Sequence, residues 1–176
     1  MISKRKTRAF GVCLALLLAA WGPLAVAAPP TVREPHDFQA LGREAAAGRM
    51  PIVLEFAASD CRYCRILEHR VLNPMLLSKE YTGKILIRKV EIDSGATILD
   101  FQGHPLPVAD LARRYGIRFT PVVVFLDSAG RELAPRLVGL SSLDFYGAYL
   151  DTAIETARKR LSEDLASRAT VPAPQP

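Results

Sequence analysis

Two cysteines three residues apart, Cys61 and Cys64, follow closely on the apolar run Ile52-Val53-Leu54-Glu55-Phe56. That separation is one helical turn, near enough to close a disulfide, and a thiol pair that opens and closes exchanges two electrons. The residues beyond the pair read as helix, so Cys61 stands at a helix N-terminus. Unpaired N–H groups and the positive end of the dipole there favour thiolate over thiol. A Cys-x-x-Cys at a strand-to-helix junction is a fairly specific signal, whereas a bare one is not. The competing readings are a structural disulfide and half a zinc site. Zinc usually takes four ligands, and outside the first residues the chain offers only these two cysteines, with His36, His69 and His104 scattered. So short a loop is a poor staple, because it restricts the unfolded chain little. The reading calls for no metal and no cofactor.

Each residue around the pair then acquires an expected role. Cys61 is the exposed attacking nucleophile and Cys64 the buried resolving thiol. Arg62 lowers the pKa of Cys61, while Asp60 opposes it by like-charge repulsion with a thiolate. Glu55 is the one acid in an apolar strand, where an unpaired carboxylate is costly, so it should either take up a proton or keep a water or partner. Beside a Cys-x-x-Cys it is a candidate proton acceptor for Cys64 with a raised pKa; the alternative is a partly exposed acid at a strand end. Glu68 follows Cys64 by four on the same helix face and can reach the same region, with a solvated helix residue as the alternative. Tyr63 joins the exposed contact surface, and His69 and His104 are read as surface residues.

The elements that must position these residues can be read from periodicity. Asp37 to Ala47 predicts a helix with Gly48 as its stop. Ile52 to Ala57 predicts a central strand covered on both faces. A helix from Cys61 to about Leu72, with Ile66, Leu67 and Val71 inward, should kink or end at Asn73-Pro74. Ile85 to Ile92 predicts a strand with Ile85 and Ile87 inward and Val90 a candidate to join them. Asp93 to Pro107 reads as loop with room for a short extra strand or turn. Val108 to Tyr115 predicts a helix closed by Gly116. Val122 to Leu126 and Glu132 to Val138 predict a hairpin around Asp127-Ser128-Ala129-Gly130, with Pro135 marking an edge strand. Ser141-x-x-Asp144 should cap a long last helix whose stripe is Leu143, Leu150, Ile154, Ala157, Leu161 and Leu165. This order gives an α/β fold, a mixed central sheet with helices on both faces and a C-terminal β-hairpin plus helix.

The first residues carry a different message. Lys4, Arg5, Lys6 and Arg8 precede an apolar stretch from Ala9 to Ala20, then Gly22-Pro23 and a small-x-small site at Ala25-Val26-Ala27. That is the layout of a secretory signal peptide over residues 1–27; the competing reading is an uncleaved membrane anchor. Cleavage would also remove Cys13. The chain is +5 overall with 23 basic and 18 acidic residues; without the leader it has 19 basic against 18 acidic, or +1. The basic balance is thus mostly the leader's, and nothing argues for nucleic acid. Export to an oxidising compartment, the periplasm, fits a redox-active pair. Residues 28–36 read as a flexible segment, 37–168 as the domain, and 169–176 as a disordered Ala/Pro-rich tail.

With these residues in this order, the chain resembles the thioredoxin superfamily from about Asp37 to Leu165. The likeness rests on Glu55 six residues before Cys61, on Tyr115-Gly116-Ile117-Arg118-Phe119-Thr120-Pro121, on the Asp127–Gly130 turn, and on Val138-Gly139-Leu140-Ser141. Cys64-x-x-x-Glu68 and Asp100-Phe101-x-Gly103 are similar to exported reductants, the thioredoxin-like C-terminal domain of DsbD and the SoxW-type thioredoxins. The resemblance implies a cis bond at Thr120-Pro121 beside the cysteine pair. It also implies a substrate groove formed by Arg62, Tyr63, the Thr120 backbone, Val138 and Gly139. The chain departs from the family where thioredoxins place Trp before the first Cys and Gly-Pro between the two; here stand Asp60 and Arg62-Tyr63. That bears on the redox potential and not on the fold. The implied function is a periplasmic thiol–disulfide oxidoreductase that reduces exported partner proteins. It would be re-reduced by a donor such as a membrane electron carrier, and would have no stable membrane insertion once the leader is gone. A disulfide isomerase or oxidase, and a non-enzymatic binding module on the same fold, are the alternatives.

Overall fold

A computed structural model describes residues 29–170. The leader, Cys13 and the end of the expected tail, residues 171–176, lie outside the described residues. Among the described residues, no helix is long and apolar enough to cross a membrane.

The elements run α1 (Phe38–Gly48), β1 (Ile52–Ala57), α2 (Arg62–Leu67), a π turn (Glu68–Leu72), α3 (Asn73–Leu77), β2 (Leu86–Glu91), β3 (Thr97–Leu99), β4 (Pro105–Pro107), α4 (Val108–Arg114), β5 (Val122–Leu126), β6 (Glu132–Val138) and α5 (Leu143–Thr170). The main sheet has the order β2-β1-β5-β6. β1 is parallel to β2 across the helical crossover and antiparallel to β5, and β5 is antiparallel to β6. Pro135 therefore sits on an edge strand, as its missing N–H requires.

Alternation along β1 divides the core. Ile52, Leu54 and Phe56 pack with Phe38 and Leu41 of α1 and Val108 and Leu111 of α4. Val53 faces the other way, into a layer with Leu67, Leu72, Met75, Val123, Phe125, Tyr146 and Leu150. Every residue of β1 is buried, so the sheet is covered on both faces. At roughly 1.5–3 kcal/mol for each fully buried large apolar side chain, these two layers supply most of the drive to fold.

Several boundaries differ from expectation for identifiable reasons. The left-handed residue ending α1 is Arg49 (φ 51°), not Gly48. A Cβ at Gly48 would meet only the flexible Met50 side chain, which can move aside, so the helix end does not depend on that glycine. Helix α2 does not end at Pro74. The wider π turn, closed by Asn73 N–H to the Glu68 carbonyl, relieves the ring's conflict with the preceding turn, and the helix continues to Leu77. Leu72 becomes fully buried while Ile66 and Val71 are half-buried.

The loop before α4 holds the β3–β4 hairpin. Buried Asp100 organises it, accepting from the Gln102 and His104 N–H groups at 3.0 and 2.9 Å and from Arg114 at 2.8 Å. Helix α4 closes on Gly116 (φ 65°), with Gly116 N–H on the Arg113 carbonyl and Ile117 N–H on the Ala112 carbonyl.

Helix α5 starts at Leu143, with the Ser142 carbonyl taking the first bond from Tyr146 N–H, so Ser141 stands outside it. Leu143 and Leu165, expected in the buried stripe, are exposed, whereas Leu150, Ile154 and Ala157 are buried. The helix extends to Thr170, two residues into the expected tail. The entry segment expected to be flexible is fastened from Val32 on. Val32 N–H donates to Asn73 Oδ1 at 3.0 Å, Arg33 bridges to Arg88 of β2, and Glu91 N–H donates to Glu34 at 2.7 Å.

Candidate active site

β1 and the parallel crossover after it bring the chain to the sheet end where Ala57 stops. Ser59 turns the chain there, held by its N–H and hydroxyl on the Asp93 carboxylate at 3.0 and 2.7 Å. Those bonds hold Asp93 ionised to lower pH than usual, the Ser59 hydroxyl contributing most. The loop delivers Cys61 to the N-cap of α2, where its sulfur accepts from Cys64 N–H at 3.1 Å. A helix-end N–H thus bonds the sulfur directly, the interaction that favours a thiolate at this position. Cys61 and Cys64 form a disulfide with Cα atoms 5.3 Å apart. Cys61 is half-buried and Cys64 is 1% exposed, so the pair has one accessible sulfur and one enclosed sulfur.

Other site residues converge on the same end through strand register. Val122 lies opposite Phe56 on one side and Val138 on the other. Pro121 and Thr120 immediately precede it, and Gly139 N–H donates to the Pro121 carbonyl at 2.8 Å. The Thr120–Pro121 bond is cis. Arg62, Tyr63 and Val138 are exposed, Thr120 and Gly139 half-buried, and Pro121 buried. Phe119 was not singled out from the sequence, yet it is 71% exposed next to Thr120. An aromatic side chain left that open next to the cis bond adds an apolar surface there; its only sequence signal was its place before Thr-Pro.

In the middle of β1, Glu55 is 0% exposed, and neither of its oxygens has a hydrogen-bond partner in the chain. The reading of a partly exposed strand-end acid therefore fails. Its pKa is raised from 4.5 to about 8, chiefly by burial and next by the Glu68 charge, with Lys89 opposing. Glu68 is not a solvated helix residue either: it is mostly buried and bonds Lys89 Nζ at 3.1 Å. Lys89 stands directly across from Glu55 in the β1–β2 register and also reaches Glu91 at 3.3 Å. Burial alone would lower the Lys89 pKa, but Glu68 and Glu91 outweigh it and hold the ammonium charged. Sequence reasoning missed Lys89, although Ile85 and Ile87 pointing inward at period two place it on their face. His69 and His104 are exposed, and among the described residues no group of three His, Cys, Asp or Glu is gathered around a metal-sized space.

A covered mixed sheet with a disulfide-forming Cys-x-x-Cys at a strand-to-helix junction defines a thiol–disulfide oxidoreductase. The chain belongs to the thioredoxin-like domain family, which it matches over residues 38–154. In structure it is similar to a Malassezia sympodialis thioredoxin, with 19% identity and a TM-score of 0.51 over 75% of this chain and 96% of that one. It also matches thioredoxin NaTrxh from Nicotiana alata, with 21% identity and a TM-score of 0.45 over 73% and 99%. A third match is the oxidised mitochondrial thioredoxin 3 of Saccharomyces cerevisiae, with 14% identity and a TM-score of 0.47 over 70% and 93%. No curated protein sequence matches it.

Proposed function

We propose that the protein is an exported, periplasmic reductant of disulfides in partner proteins. The observation that carries the catalytic part is the asymmetry of the pair. One sulfur is accessible at a helix cap and bonded by an N–H, and its partner is enclosed in the helix layer that Glu55 faces.

In the reduced protein the Cys61 thiolate attacks a sulfur of the partner's disulfide. A Cys61–partner mixed disulfide forms, and the electron pair of the broken S–S bond leaves on the partner's other sulfur. Glu55, ionised, takes the proton of Cys64. The Cys64 thiolate then attacks Cys61, closing the Cys61–Cys64 disulfide and releasing the partner as a dithiol. The partner has gained two electrons and the protein has lost them, so a thiol donor must reload it. A membrane-bound electron carrier is the class that can deliver electrons to an exported protein.

An extended partner segment fits beside Thr120 and Gly139, with Tyr63, Phe119 and Val138 offering apolar contact and Arg62 a charge. Backbone bonding of this kind tolerates many sequences. The likeness of Glu55 and Glu68 to the acid pair of exported reductants, and the leader-like first residues, support export and the reducing direction. Asp60 adds to this, since a charge that disfavours the thiolate destabilises the reduced form.

Equilibration with glutathione redox buffers tests the direction. A potential near the roughly −270 mV of thioredoxin is expected, whereas one above about −160 mV would make the protein an isomerase or oxidase.

A further inference from the structure

Among the described residues, three buried side-chain nitrogen or oxygen atoms have no hydrogen-bond partner in the chain. They are the two carboxyl oxygens of Glu55 and the hydroxyl of Tyr146. A buried polar group left unpaired costs roughly 1–3 kcal/mol, and leucine or phenylalanine would fill the Tyr146 position without that cost. The two residues are neighbours in the fold. β1 turns Val53 and Glu55 toward one layer, and Tyr146 packs in that layer with Val53 and Val123, the latter directly across from Glu55. Tyr146 is the first buried residue of α5, which follows β6 after its last residue, Val138. Burial and the charge of Glu55, with no other charged group contributing, raise the Tyr146 pKa.

We infer that Glu55 and Tyr146 share one internal water, which Tyr146 holds against the carboxyl group. No direct hydrogen bond joins them, and three unpaired oxygens facing one layer are what a buried water needs to make its usual two to four bonds. When Glu55 is ionised the water donates to it and accepts from the Tyr146 hydroxyl. When Glu55 is protonated the acid donates to the water. Tyr146 is thus a positioning residue: it keeps a proton carrier on the carboxyl group that the reading above makes the acceptor for Cys64. The other groups facing Glu55 are Lys89 on β2, itself bonded to Glu68 and Glu91, Glu68 on the π turn, and the Cys64 side of α2; β5 contributes the apolar Val123.

The test is a carbon-13 NMR titration of the Glu55 carboxyl group in the purified exported protein, oxidised so that no thiol titrates. Tyr146→Phe removes one hydroxyl that supports the ionised form through the water, so the Glu55 midpoint should rise by about one pH unit. An unchanged midpoint overturns the inference. In the unsubstituted protein, the ring carbon bearing the Tyr146 hydroxyl should titrate with the Glu55 midpoint, and a long-lived water should give cross-relaxation to the Tyr146 ring protons. A Tyr146 signal flat across the Glu55 titration also overturns it, and this measurement needs no variant. The rate of mixed-disulfide resolution separates the two proposals. If the midpoint moves in Tyr146→Phe and the rate profile does not follow, the water site stands and the proton-acceptor role of Glu55 falls.

Discussion

Replacing Glu55 by Gln should reveal a cost the fold bears for its chemistry. The carboxyl group is fully buried without a partner in the chain, and its pKa stands at about 8 against 4.5 in the unfolded chain. Between those values the folded protein keeps a proton that the unfolded chain has released. Folding then takes up a proton, and stability falls as pH rises. The stability is complete below about pH 4.5, is lost as pH climbs toward 8, and changes little beyond. Each pH unit in that window is worth about 1.4 kcal/mol. The loss is therefore about 3 kcal/mol by neutral pH and about 5 kcal/mol above pH 8. Glu55→Gln keeps the shape and cannot ionise, so its stability should lack this slope. Urea unfolding of both oxidised proteins from about pH 5 to 9 measures the difference directly. Asp93 and Asp100, held ionised to lower pH than usual by their hydrogen bonds, titrate below this range and cancel in the comparison. Two stability curves running parallel across that range would refute the argument, because a carboxylate that stays charged in the fold gives no window. The same substitution should slow turnover roughly tenfold to a hundredfold near neutral pH, the low end of general-base contributions.

Cys61→Ser should abolish disulfide reduction and Cys64→Ser should accumulate mixed disulfides with partners; faster alkylation of Cys64 than of Cys61 in the reduced protein would reverse the assigned roles. Intact-mass analysis of the exported protein should find a chain beginning near Ala28 and lacking Cys13, and a retained leader would make the enzyme membrane-anchored. Gly42→Ala should destabilise the fold by about 2 kcal/mol. Its new Cβ would press on the backbone carbonyl of Ser128, which has no flexible end to yield; thermal unfolding reads this loss.

How much the sequence disclosed depended on whether a feature was local or long-range. β1, β5 and β6 have the bounds their residues suggested, because each is an uninterrupted strand-forming run between turn signals. That the helix runs on past Asn73-Pro74 instead of ending was not legible, because the π turn that accommodates Pro74 leaves no mark in a 3.6-residue pattern. The anchoring of Val32 and Glu34 was invisible, since their partners Asn73 and Glu91 are 41 and 57 residues away. At the site, Cys61, Cys64 and Glu55 stood out because each breaks its surroundings: thiols at a helix start, an acid inside an apolar strand. Lys89 and Tyr146 did not, because a lysine in a half-polar strand and an aromatic residue near a helix start are ordinary until register and packing set them around Glu55.

The charges in this layer fit the proposed step better than they fit stability. Lys89 is bonded to Glu68 and Glu91, so Glu68 leaves Glu55 no free cation and raises its pKa. Had Lys89 paired with Glu55 instead, the carboxylate would be stable and a weak acceptor. Moving a proton from Cys64 to Glu55 leaves the total charge of the layer unchanged: a carboxylate becomes neutral as a thiolate appears. The surrounding apolar side chains then need not accommodate a second negative charge, which in a low-dielectric layer would be far costlier than the first. An acceptor whose midpoint lies near the pKa of an ordinary thiol also makes the transfer nearly even in free energy. Burial of Glu55, which weakens the fold as pH rises, is on this view the same feature that lets Cys64 lose its proton near neutral pH.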